Sequence, residues 1–273
     1  MRTPILAAVL GLSLVGCLTI GDSGPGTGDD GIDPGPGPGP GPGPTATPKV
    51  DVTIDKMTIS TELKTSNPIM VTVKGSDGFS GNVTLSAAIV DANNAPLAGW
   101  TVDFTAPSVT LTADGTATAV ATLKIPAKST GLAGTVKIIG TSTATAGTNT
   151  AAAAVTALNQ VTFALKVDAA NKCVYPADAG AGAASAVTIA VGTKVRFFNT
   201  ATVNIEIHSD NKALIAHQGQ APGGAGQPDG RLDPVTEANT AFEQTPAIAG
   251  VAPWYCHAPA TDLGANNPRI IVQ

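Results

Sequence analysis

Ala186-Val187-Thr188-Ile189-Ala190-Val191-Gly192-Thr193-Lys194-Val195-Arg196-Phe197-Phe198-Asn199 decides how this chain folds. Apolar side chains recur at every second position on both sides of Gly192, the period of a strand with one buried face, and the glycine marks a turn between two such strands. Val161-Thr162-Phe163-Ala164-Leu165-Lys166-Val167 upstream and Arg269-Ile270-Ile271-Val272 downstream read as further strands. The C-terminal half is therefore expected to be a β-sandwich, starting near residue 158.

The same period continues toward the N-terminus. Val50 to Ile54, Ile69 to Val73, Gly81 to Ser86, Ser108 to Thr112, Thr116 to Leu123 and Gly134 to Ile139 each read as strands. Ser76-Asp77-Gly78 and Ala113-Asp114-Gly115 supply turns between them. Short strands at this spacing predict an antiparallel, immunoglobulin-like sandwich over residues 49–157, with Ala151 to Leu158 leading into the second half. This first half resembles bacterial immunoglobulin-like repeats, most visibly from Val109 to Ala119. It holds no histidine and no cysteine, so a spacer or binding module is the expectation.

Before residue 49 no core can form. Residues 18–48 are dominated by Gly, Pro, Asp, Ser and Thr, with strict Pro-Gly alternation from Pro34 to Pro44. Glycine at every second position excludes collagen, and a tether reaching about 50–80 Å is expected. Arg2 followed by the short apolar run Pro4 to Val15 reads as a signal segment over residues 1–17. Its end, Leu14-Val15-Gly16-Cys17, resembles the bacterial lipoprotein lipobox. That resemblance implies acylation of Cys17, a membrane partner through the lipid, and a place in the bacterial cell envelope. Leu18 after the cysteine resembles the pattern sorted to the outer membrane.

A formal net charge of −5 gives no electrostatic footprint for DNA or RNA, so no nucleic-acid partner is expected. No G-x-S-x-G, phosphate loop, H-E-x-x-H or dinucleotide fingerprint occurs, and Glu206, Asp210 and Asp262 form no spaced pair for acid–base work. The chain reads as a non-enzyme. Chemistry concentrates in its last hundred or so residues, which hold His208, His217, Cys256, His257 and Cys173. Thiolate and imidazole are donors that copper and zinc select.

Ile189, Gly192, Val195, Phe197 and Asn199, combined with Trp254-Tyr255-Cys256 and the last strand, resemble the cupredoxins, which carry V-x-x-G-x-x-V-x-F-x-N and then Y-x-C-x-x-H. The resemblance covers about residues 160–273 and implies a Greek-key sandwich, copper as cofactor, electron transfer and a redox protein partner. Pro259 stands where the family has its last histidine, Leu263 and Gly264 occupy the neighbourhood of the axial methionine, and Asn204 or Ile205 takes the usual place of the upstream histidine. Ile207-His208, His217-Gln218 and Cys256-His257 are similar instead to a subgroup with H-x-I-H, H-Q and Y-x-C-H-x-H. By that resemblance His208, His217 and His257 converge on copper at the open end of the sandwich, with or without Cys256. Adjacent Cys256 and His257 could both ligate only from an irregular loop, because neighbours on a strand face opposite ways.

Parity gives Cys256 another fate. With Cys17 acylated, Cys173 and Cys256 are the only remaining thiols, an even pair in an oxidising compartment, so a disulfide is the competing expectation. It would make the domain a metal-free module for envelope structure or adhesion. The run Ala221 to Gly230 reads as a surface loop.

Overall fold

The computed structural model describes residues 47–142, 148–170, 172–174, 186–215, 231–257 and 268–273. Cys17, the tether up to residue 46, His217 and the run Ala221 to Gly230 lie outside them. The described residues form eighteen strands and no helix, and the fold is all-β with two sandwiches.

The first sandwich pairs a sheet of β1 (Lys49–Ile54), β3 (Thr65–Ser76), β7 (Thr116–Ile125) and β5 (Thr101–Phe104) with a sheet of β2 (Thr58–Glu62), β9 (Thr148–Leu158), β8 (Ala133–Thr141), β4 (Gly81–Val90) and β6 (Ser108–Leu111), in those orders. Alternation does the sorting: Ile69, Val71 and Val73 are fully buried while Met70 between them is exposed. The two turns read from the sequence interlock, since Gly78 N–H donates to the Asp114 carboxylate at 2.7 Å and Gly75 N–H to the Gly115 carbonyl at 2.8 Å. Ala151 to Leu158 is a strand of the sheet and not a connector. Alanine on both of its faces hides the period, although Ala153, Val155 and Ala157 are buried in turn.

The second sandwich pairs β11 (Cys173–Val174), β10 (Gln160–Val167), β13 (Lys194–Asn199) and β16 (Ala241–Gln244) with β12 (Ala186–Ile189), β18 (Arg269–Val272), β17 (Gly250–His257), β14 (Ile205–Ser209) and β15 (Arg231–Leu232). Gly192, at φ 82°, takes the left-handed turn position between β12 and β13 that a side chain would strain. Phe163 and Phe197 from one sheet meet Trp254 from the other, with centroids 5.4 and 4.8 Å away, and this aromatic cluster is the core.

Neither sandwich is purely antiparallel. β2 runs parallel to β9, β10 to β13 and β12 to β18. Each pair joins strands that no hairpin links, so no tight turn dictates their direction. One residue, Asn159, separates β9 from β10, and the span Ala46–Gln273 is one compact unit.

Candidate functional site: the outer face of β14 and β17

Antiparallel pairing places Glu206 opposite His257, Ile207 opposite Cys256, His208 opposite Tyr255 and Ser209 opposite Trp254. Successive side chains take opposite faces. Ile207, Ser209, Trp254 and Cys256 thus turn into the sandwich and are buried, while Glu206, His208, Tyr255 and His257 share the outer face and are half-buried.

The inner face is closed by a covalent bond. Cys173 of β11 and Cys256 of β17 form a disulfide with Cα atoms 5.9 Å apart, joining the two sheets across the core, and both residues are buried. Cys256 is therefore not a thiolate, and the ligand set that includes it does not fit this structure. Of the three histidines expected to converge, His208 and His257 meet on the outer face of β14 and β17, and His217 lies outside the described residues. β17 stays regular through His257, so Cys256 and His257 point to opposite faces and cannot share an ion.

What the outer face brings together is two imidazoles, a phenol ring and a carboxylate. The His208 ring stacks on Tyr255 at 4.9 Å with an interplanar angle of 8°. His257 stands edge-on to His208 at 4.5 Å and to Tyr255 at 5.2 Å. Glu206 Oε1 lies 3.3 Å from His208 Nε2. As the side chains stand, no three His, Cys, Asp or Glu groups among the described residues are close enough to hold a metal ion. The imidazoles and the carboxylate on this face are nitrogen and oxygen donors, and the sulfur of Cys256 is not among them.

Asn199, the polar end of the turn-strand motif, builds the frame beside this face. It is fully buried and its amide donates to the carbonyls of Val203, Leu232 and Asp233 at 2.8, 3.2 and 2.9 Å. Its side-chain oxygen accepts the Ala201 N–H at 2.8 Å. One side chain thereby fixes the turn into β14 and the exit from β15. The sequence reading weighs Glu206 only for acid–base work and does not set it beside His208. The alternation Ile205-Glu206-Ile207-His208 was the available signal, because it sets Glu206 and His208 on one face.

No family model matches the chain, and no curated protein does. Similar solved structures include a family 123 glycoside hydrolase from Clostridium perfringens, at 13% identity over 42% of this chain and 30% of that one, with a TM-score of 0.33. Domains 4 and 5 of the S-layer protein SbsC give 16% identity over 41% and 53%, with a TM-score of 0.28. The E. coli chaperone DraB gives 10% over 82% and 96%, with a TM-score of 0.27. The chain spans about a third and about half of the first two. Likenesses at these scores carry no functional argument.

Proposed function

We propose that this protein is a lipid-anchored module of the bacterial envelope that binds copper as Cu(II) through imidazole on the outer face of its second sandwich. The anchor is acylated Cys17, the Pro-Gly stretch is the tether, and the first sandwich is a spacer that lifts the second from the membrane. The observation that carries the copper reading is the meeting of His208 and His257 across β14 and β17, with ring centroids 4.5 Å apart. His217 is the third imidazole of the proposed set. Copper held by nitrogen and oxygen donors would supply a tetragonal, weakly coloured centre, suited to capture of the ion more than to rapid electron exchange. His208 and His257 bind, Tyr255 holds the His208 ring in plane by stacking, and the disulfide behind them keeps β17 in register.

A second reading is favoured by that disulfide: a cupredoxin-like domain stapled by Cys173–Cys256 and serving envelope structure or adhesion without metal. Titration of the full chain with Cu(II), followed by bound stoichiometry, visible absorption and EPR, separates the two. One copper without an intense thiolate-to-metal band is the expected result, and it should disappear in the His208→Ala, His257→Ala double variant. No copper in the wild type would leave the structural reading, and an intense thiolate band would contradict both.

A further inference from the structure

We infer that the first sandwich bears mechanical load, with the parallel ladder between β2 and β9 as the clamp that resists force between the anchor and the second sandwich. This rests on the anchor-and-spacer part of the reading above and is independent of copper. The chain enters and leaves the first sandwich at opposite ends. Lys49, the start of β1, pairs with Ser76, the last residue of β3. Glu62, the end of β2, lies opposite Leu158 at the end of β9, and its carbonyl accepts the hydroxyl of Thr65, the first residue of β3, at 2.7 Å. β3 has 12 residues, so at about 3.3 Å per residue entry and exit are about 40 Å apart along the strands. Force between Cys17 and the second sandwich therefore runs along the strands and not across them.

Ladder hydrogen bonds lie across the strands, so a pull along the strands strains all of them together, while a pull across the strands opens them one at a time. β1 on β3, from Lys49 opposite Ser76 to Ile54 opposite Val71, is loaded in this shearing sense. So is β2 on β9, from Thr58 opposite Ala154 to Glu62 opposite Leu158. The second ladder decides the strength, because it joins the strand that receives load from the anchor to the strand that hands it to β10. It also reaches past the ends of β2. The Met57 carbonyl accepts the Ala154 N–H at 2.9 Å, and Leu63 N–H donates to the Gln160 carbonyl of β10 at 3.0 Å. Ile59 and Leu63 on one side and Val155 and Ala157 on the other are buried, which keeps water from replacing the ladder bonds on that face as they stretch. The second sandwich carries the load onward by covalent means. Val167 of β10 lies opposite Cys173 of β11, and the disulfide ties Cys173 to Cys256 of β17, so a pull on the outer face of β17 reaches β10 without extending residues 174–255.

The test is single-molecule pulling on the full chain in two geometries, reading the force at which the first sandwich opens. Handles at a Thr47→Cys thiol and at Gln273 load it along its strands. Handles at Thr47→Cys and Thr116→Cys, two exposed positions at the entry end, load it across them, since Thr116 pairs with Lys74 of β3. In the first geometry its opening is recognised by length, because the disulfide locks residues 174–255 and the second sandwich releases less chain. The force along the strands should be several-fold above the force across them. Thr61→Pro, which takes a β2 amide out of the clamp, should lower the first force and leave the second unchanged, with the thermal unfolding curve as the check on fold. Equal forces in the two geometries would overturn the inference and leave the anchor reading intact. So would a folded Thr61→Pro chain that keeps the original force along the strands; if that variant does not fold, the two geometries decide alone. An unmodified Cys17 on a chain recovered outside the membrane fraction would instead sink the anchor reading, and the load-bearing role with it.

Discussion

The two sandwiches hold themselves together by different means. In the first, β3 and β7 stay in register from Thr65 opposite Ile125 to Lys74 opposite Thr116, and β8 and β9 from Ala133 opposite Thr156 to Thr141 opposite Thr148. Long ladders and a largely aliphatic core that also takes in Phe79 and Trp100 hold it without a disulfide. In the second, β10 and β13 pair only from Gln160 to Leu165, and β11 and β15 are two residues each. Short strands bury less and leave more of the backbone to loops, so this half relies on a disulfide, a buried asparagine and stacked aromatics. The chemistry-bearing residues are in the half that needs the staple, where loops and strand ends are fixed by point contacts.

Removing the staple should give the largest effect. The disulfide closes a sequence separation of 83 residues, and loop-closure entropy assigns such a bond about 4.5 kcal/mol. The Cys173→Ala, Cys256→Ala double variant should lose most of that stability in the second sandwich, while the first changes by less than about 1 kcal/mol. Hydrogen exchange read separately over 49–158 and 160–273 makes the measurement. Equal loss in both halves would break the comparison.

Asn199 comes next. Asn199→Leu leaves three carbonyls and the Ala201 N–H without their partner in a buried site, at a cost of about 2–3 kcal/mol. Protection should fall first near residues 200–204 and 231–233. If those segments keep native protection, the asparagine is not what orders the frame of β14 and β15.

Much of the fold was legible because it rests on period-2 alternation of β-branched and aromatic residues, which survives reading without a structure. β1, β3, β4, β6, β7, β8, β10, β12, β13 and β18 all carry it. Three of the strands that escaped had it masked. Alanine on both faces hides β9, Pro253 demotes β17, and β14 is five residues with a carboxylate and an imidazole among its isoleucines. The site was legible as residue types and illegible as geometry. His208 and His257 stood out by chemistry, but their shared face, and the opposite face taken by Cys256, follow from the β14–β17 register. No local pattern fixes a register between segments forty or more residues apart.

The smallest effect tests how independent the two halves are. Gln160, the first residue of β10, donates its side-chain amide to the Glu62 carboxylate of β2 at 2.7 Å, while its carbonyl accepts the Leu63 N–H at 3.0 Å. Lys64 lies over the Phe163 ring at 5.3 Å, and Lys128 donates to the Gln273 side chain at 3.0 Å. Asn159 is itself held by the second sandwich, donating to the Gly192 carbonyl at 3.0 Å. The joint is a set of hydrogen bonds and not a hinge. Gln160→Ala removes one charge-assisted bond, costing about 1 kcal/mol, and leaves both cores untouched. Its informative readout is coupling. In the wild type, loss of the disulfide should pass a small destabilisation to residues 49–158 through this joint; in Gln160→Ala that transmitted part should shrink. If transmission is the same in both, coupling runs through the backbone at Asn159, and the joint side chains only decorate it.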